Sequence, residues 1–215
     1  MSRLCLAIAS SLLFLVSTSS HALLLRATLT EAAENPPTVP TTSTGAPRPL
    51  SFGTAEFDLN DAMTAMTFTA TIFNIDFTGA QTADPNDNLV NAHIHAGPAV
   101  TPTTNGPVVW GFIGTPFNDN NPNDVVITPF ATGVGGTVRG KWDLPEGNNT
   151  TLTAQLPFIL NGQAYINFHT VQFAGGEIRG NIVRDVPEPS ILLLLAAGAF
   201  GLLFVPLSGT RRRTP

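Results

Sequence analysis

Three histidines are the residues of this 215-residue chain whose type and spacing suggest chemistry. The stretch "NAHIHAGPA" places His93 and His95 one residue apart, and "AYINFHTV" carries His169. On a β-strand, residues two apart lie on one face, about 6–7 Å from each other. His93 and His95 would then point together, while Ile94 faces the core. Three imidazoles at such spacing are suited to zinc or copper.

The strand that carries His169 is followed by "GEIRGNIV" after a short link, which predicts a hairpin. Pairing Ile166 with Ile182 keeps apolar residues together, since a one-residue slip would exchange the faces. The other, outward face would then carry Tyr165, Asn167, His169, Glu177, Arg179 and Asn181. Glu177 and Arg179 are therefore predicted to lie beside the histidines, with Glu177 either as a further metal ligand or as an acceptor that supports a ligating histidine.

Two interpretations of these histidines remain open. In the first, His93, His95 and His169 belong to a hydrogen-bonded surface network of polar residues. In the second, they bind one zinc or copper ion. Spacing alone favours the network, because pairs of this kind are common on strands without metal. Convergence of the three rings would favour the metal.

Catalysis and nucleic-acid binding have little support in the sequence. No serine lies in a Gly-x-Ser-x-Gly elbow, and no pair of carboxylates stands out from ordinary turn aspartates, so we expect no enzyme. Without Arg3 and the three arginines from 211 to 213, six of the ten basic residues remain against fifteen acidic ones. The exported part is therefore acidic, with a net charge near −9, which excludes nucleic acid as a main partner.

The elements that must position these residues are strands. Apolar residues alternate with Thr, Ala and Asp in "SFGTAEFDL" and "MTFTATIFNI", a period-two pattern typical of half-buried strands. Further strands are predicted at 90–95, 108–113, 125–130, 137–144, 164–171 and 177–183. One helix is predicted in "TTLTAQLPFILNG", ending at Asn161-Gly162. The prediction is all-β: an antiparallel β-sandwich of about eight strands with one short helix.

Both ends of the chain have the features of targeting segments. Residues 1–22 combine Arg3, an apolar run and a small-x-small site, which predicts a secretory signal peptide cleaved after Ala22. The only cysteine, Cys5, lies inside it. Residues 190–207 carry no charge over 18 residues, about 27 Å as a helix, which predicts a transmembrane helix.

The C-terminal segment resembles the PEP-CTERM sorting signal of Gram-negative bacteria. Pro187, Glu188 and Pro189 precede the apolar run, and an arginine cluster follows it, in the order that this signal requires. The resemblance implies that an exosortase cuts at the tripeptide, so that residues 186–213 hold the protein in the inner membrane only transiently. The expected location is then the cell surface or the extracellular matrix.

The middle of the chain resembles the CHRD domain, named after the chordin repeats and widespread in bacterial secreted proteins. The segments that carry the likeness are "ATLTEAAENPP", "HIHAGPA", "NGPVVWGF" and "LNGQAYINFHTVQFAGGEIRGNIV". The resemblance implies an extracellular all-β domain, expected over residues 23–185. The leading hypothesis is a non-enzymatic binding or structural domain, with exopolysaccharide or envelope proteins as further partners. The alternative is a metal-binding or redox domain that uses the three histidines.

Overall fold

The computed structural model describes residues 23–185 of the chain. The predicted signal peptide with its cleavage site at Ala22, the tripeptide 187–189 and the predicted transmembrane helix lie outside these residues. Within them, no helix is long and apolar enough to cross a membrane.

The described residues form ten strands and one α-helix, which confirms the predicted all-β antiparallel class. The strands run in one sheet in the order β5-β4-β8-β9-β1-β2-β3-β7-β6, with β10 paired to β1. The bounds of the elements are β1 Leu23–Thr30, β2 Phe52–Leu59, β3 Ala65–Phe73, β4 Leu89–Ala96, β5 Val108–Ile113, β6 Val126–Pro129, β7 Gly135–Asp143, α1 Leu152–Leu160, β8 Ala164–Thr170, β9 Ile178–Asn181 and β10 Val183–Arg184. The prediction missed β1 and took β9 and β10 as one strand.

The sheet curls so that its two ends pack face to face, as in a sandwich. Phe68 of β3 lies edge-on to Trp110 of β5 at 5.7 Å between ring centroids and contacts Phe112 at 4.7 Å. Trp110 also stacks on Trp142 of β7 at 5.5 Å. These aromatic rings close the core, and their large buried area contributes much of its stability.

The two halves of the sheet meet at a short seam. Strands β1 and β2 are paired over eight residues, whereas β1 and β9 share one Cα pair, Thr30 with Arg179. The half formed by β5, β4, β8 and β9 carries all three histidines of interest, because His93 and His95 lie on β4 and His169 on β8.

Helix α1 covers one end of the core. Thr151 caps it, since its side-chain oxygen accepts from the Ala154 amide at 3.3 Å. Leu152, Leu156 and Ile159 form its buried face, and Pro157 is accommodated inside it. The predicted short helix is therefore confirmed.

The alternation along β4 and β8 was predicted correctly, but the register of the hairpin was not. Ile94 pairs with Ile166 in the core, and both are fully buried. In the β8–β9 hairpin, Ile166 pairs with Gly180 and Phe168 with Ile178, two residues away from the predicted pairing. A shift of two leaves every side chain on its predicted face, so apolar patterning cannot distinguish the two registers.

Candidate metal centre

The three histidines lie together under a cover of loops. In the β4–β8 pairing His93 is opposite Asn167 and His95 is opposite Tyr165. The exposed fractions of His93, His95 and His169 are 4%, 8% and 6%. The prediction that this face points outward was therefore wrong. The loops that follow β4, β5 and β8 fold back over it and contact the rings.

His93 is held by the loop after β5. Its Nε2 donates to the carbonyl of Thr115 at 3.1 Å, and its Nδ1 lies 3.2 Å from Nε2 of His169. Gly111 of β5 makes this approach possible, because a Cβ there would lie 1.8 Å from the carbonyl oxygen of Pro116 and 3.0 Å from the His93 ring.

His95 is held by the loop between β4 and β5. Its Nδ1 donates to the carbonyl of Gly106 at 2.8 Å, while its buried Nε2 makes no hydrogen bond of good geometry and has the Asn167 side chain nearby. The ring stacks on Tyr165, with centroids 4.5 Å apart and planes 8° from parallel. A buried acceptor without a partner is costly, so a ligand at this nitrogen would be stabilising.

His169 is held by the link between β8 and β9. Its Nδ1 donates to the carbonyl of Ala174 at 2.9 Å. Its Nε2 lies 3.0 Å from Oδ1 of Asn167 and also faces His93. Each of the three rings thus gives one nitrogen to a different loop and turns the other toward its neighbours.

The three rings carry fewer protons than their polar contacts would need if all were hydrogen bonds. Five polar contacts of 2.8–3.2 Å involve these rings, and each needs one proton if it is a hydrogen bond. Three neutral imidazoles carry one proton each, and the three backbone carbonyls take all of them because a carbonyl cannot donate. The contacts of His169 Nε2 with His93 and with Asn167 therefore bring acceptor against acceptor.

The surroundings keep the rings neutral. Burial, followed by the neighbouring His169 and His95, lowers the pKa of His93 to about 4. Burial is also the main cause that lowers the pKa of His95 to about 4, with His169 and Arg179 adding to it. Burial lowers the pKa of His169 as well. Near neutral pH no additional proton is bound to resolve the acceptor contacts.

One nitrogen of each ring lies within 4.8 Å of a nitrogen of both other rings. Nitrogens that share a zinc ion at about 2.0–2.1 Å are separated by roughly 3.4 Å, so a small contraction would bring these three onto one ion. The structure thus brings together the three residues predicted as ligands. Besides the three ring nitrogens, the Oδ1 atom of Asn167 is a fourth acceptor. The prediction placed Asn167 on this face without giving it a role.

Of the two predicted supporting residues, Glu177 lies in another network. Its carboxylate is fully buried, contacts Arg48 at 2.5 Å, and accepts from Ser51 at 2.5 Å and Thr170 at 2.6 Å. Glu177 therefore holds the segment before β2 against the hairpin and has no hydrogen bond to the histidines. Sequence reasoning missed its partner Arg48, which lies in a proline-rich stretch without periodicity.

Arg179 does lie near the histidines, as predicted, but acts through other groups. Its guanidinium carbon is 3.6 Å from the centroid of the Tyr165 ring, which in turn stacks on His95. It donates to the carbonyls of Thr101 and Thr104 and to Oδ1 of Asn105. Arg179 therefore fixes the loop whose Gly106 carbonyl orients His95.

Comparison with protein families gives a match over nearly all of the described domain. The family model of the CHRD domain matches residues 25–182, which span the sheet from β1 to the end of β9 and all three histidines. The chain belongs to the CHRD domain family. No curated protein and no solved structure matched the chain.

A second model, the PEP-CTERM protein-sorting motif, matches residues 185–213, directly after the CHRD domain. This motif indicates export, sorting to the cell surface in bacteria and processing by an exosortase. The predicted resemblances to the two families are thereby confirmed, and the protein is an exosortase-processed extracytoplasmic CHRD protein.

Proposed function

We propose that this CHRD domain binds one zinc or copper ion through His93, His95 and His169 while the protein is displayed at the bacterial surface. The observation that carries the proposal is the convergence of three buried ring nitrogens whose protons are all committed elsewhere. The role is binding, not catalysis.

The way the rings are oriented supports this role. Metal-binding histidines usually donate their second ring N–H to a carbonyl or carboxylate, which fixes the tautomer and directs the lone pair to the ion. Here the Thr115, Gly106 and Ala174 carbonyls do this for the three rings. The free nitrogens are then Nδ1 of His93, Nε2 of His95 and Nε2 of His169.

The alternative, a purely hydrogen-bonded network, accounts for these contacts less well. A network would use donors and acceptors in matched pairs, whereas His169 Nε2 faces two acceptors and His95 Nε2 has no partner. A cation among them resolves every unmatched contact at once.

The sorting segment supports a more specific location. We place the mature domain on the surface or in the extracellular matrix of a Gram-negative cell, after a transient stay in the inner membrane. Exopolysaccharide and envelope proteins are the partners available to an acidic domain in that location.

The test uses variants that remove one metal-binding nitrogen but keep each loop contact. Glutamine at position 93 places its amide nitrogen near the former Nε2 and can still donate to Thr115. Asparagine at 95 or 169 places its amide nitrogen near the former Nδ1 and can still donate to Gly106 or Ala174. His93→Gln, His95→Asn and His169→Asn therefore separate metal binding from the loop contacts.

The exported chain, purified and treated with chelator, is titrated with Zn²⁺ and, anaerobically, with Cu⁺. We expect one ion per chain, and at a hundredfold excess over Kd a stabilisation of about 2.7 kcal/mol. For a domain of this size that corresponds to a rise in Tm of roughly 5–10 °C. Each of the three variants should lose this rise while folding without metal. If neither ion binds, or the variants bind as the wild type does, the proposal is wrong.

A further inference from the structure

We infer that the site selects copper in its cuprous state, Cu⁺, over the divalent ions Zn²⁺ and Cu²⁺. The inference rests on the proposed function and names the ion for the same site. It is drawn from the charges around the three nitrogens, the number of donors and their burial.

The donors are all uncharged. Among the described residues, the group that converges within 4.8 Å consists of the three histidines alone, with no carboxylate and no thiolate. The neutral amide of Asn167 is the further oxygen next to them. A divalent ion bound here would keep its full double charge, because no ligand offsets it.

The wider surroundings do not supply the missing negative charge. Arg179 is fully buried, and its guanidinium lies over the Tyr165 ring, which stacks on His95. Only the Tyr165 ring therefore separates this positive charge from the His95 ring. The buried Glu34 lies beside Asn167 and interacts electrostatically with Arg179, so these two opposite charges partly offset each other. The carboxylate of Glu177 is committed to Arg48. The neighbourhood therefore adds little net charge of either sign.

Because the site is buried, the charge of the ion strongly affects which ion binds. The three rings are at least 92% buried, and the cost of taking an ion out of water grows with the square of its charge. A divalent ion therefore incurs about four times the desolvation cost of a monovalent one at the same site. Three nitrogen donors complete the coordination of Cu⁺, whereas Zn²⁺ takes four ligands and would need water or the Asn167 oxygen as the fourth.

The experiment measures both affinities on the purified, exported chain. Cu⁺ is titrated anaerobically against bathocuproine disulfonate, and Zn²⁺ against a chromophoric pyridylazo chelator. We expect Cu⁺ to bind at one ion per chain and at least a hundredfold more tightly than Zn²⁺. Copper added as Cu²⁺ with a mild reductant should remain silent in electron paramagnetic resonance after exposure to air.

A variant with one added negative charge tests whether charge causes the preference for Cu⁺. Asn167→Asp adds one negative charge beside His169 and should lower the preference for Cu⁺ over Zn²⁺ at least tenfold. Asn60→Asp makes the same change at the exposed turn between β2 and β3 and should leave the preference unchanged. Circular dichroism verifies that both variants fold.

The outcomes separate the inference from the proposed function. If Zn²⁺ binds as tightly as Cu⁺ or more so, the inference is overturned and metal binding stands. If neither ion binds, the proposed function itself fails. If Asn167→Asp folds and does not shift the preference, the argument from charge, on which the inference rests, is overturned.

Discussion

Replacing Gly111 by alanine is expected to damage the histidine site through the backbone. The added Cβ would lie 1.8 Å from the carbonyl oxygen of Pro116 and 2.9 Å from its carbonyl carbon. These are backbone atoms, so the loop must move by more than 1 Å. The adjacent Thr115 carbonyl, which holds His93, moves with it.

The expected cost follows from two terms. Forcing a methyl group into a packed site costs about 1–3 kcal/mol, and losing the hydrogen bond from His93 to Thr115 costs about 1 kcal/mol. The total of about 2–4 kcal/mol corresponds to a fall in Tm of roughly 5–15 °C for a domain of this size. Because His93 loses its orientation, metal affinity should also fall at least tenfold.

Two matched glycine variants serve as controls. At Gly53 in β2 a Cβ would meet the side chain of Ile72 at 2.5 Å and the carbonyl of Thr71 at 2.6 Å, far along the sheet from the histidines. Gly53→Ala should lower stability and leave metal affinity unchanged. At Gly175 nothing lies within 4 Å of the added Cβ, so Gly175→Ala should change neither quantity by much. Thermal denaturation and metal titration of all three variants form the assay, and normal metal affinity in Gly111→Ala would refute the reasoning.

Three further predictions concern other parts of the molecule. Burial raises the pKa of the fully buried Asp119 to about 6, so the wild type loses stability as pH rises from about 4 through 6. Asp119→Asn should therefore be more stable by up to about 3 kcal/mol at pH 8 in urea unfolding and equal below pH 4; equal stability at pH 8 would contradict this. Glu177→Gln leaves Arg48 buried without its counter-charge and should cost about 3–5 kcal/mol in the same assay, with metal affinity retained; a neutral effect would show that the pair is not needed. Replacing residues 187–189 by alanines should leave export intact and abolish C-terminal processing, as judged by the mass of the exported chain; normal shortening would mean that another protease cuts it.

The alternation of apolar and polar residues along the strands could be predicted from the sequence. The loops that cover the polar face could not. Period-two patterns placed Ile94 and Ile166 in the core, and the structure agrees. The loops that bury His93 and His95 have no periodicity, and they act through backbone carbonyls, which every residue type possesses. Their closure over the face could not be predicted from residue types, and the polar face was wrongly expected to be outside.

Two other errors have equally definite causes. The register of the β8–β9 hairpin was wrong by two residues because both registers bury the same side chains. Strand β1 was overlooked because "LLLRATLT" directly follows the apolar signal segment and lacks turn residues that would separate the two. The grouping of His93, His95 and His169 could be considered from the sequence, since a His-x-His pair and one further histidine are conspicuous in a chain with four, but spacing did not decide between a metal site and a hydrogen-bonded network.

The short seam between β1 and β9 has a consequence for how this protein can evolve. All three site histidines and Asn167 lie on one side of the seam, on β4 and β8, while the long pairings of β1, β2, β3 and β7 lie on the other. Substitutions on β2 or β3 alter the stability of the domain without replacing a residue of the candidate site. Natural variation on the exposed faces of β1, β2, β3 and β7 can therefore change that surface of the molecule without replacing a residue of the candidate metal centre.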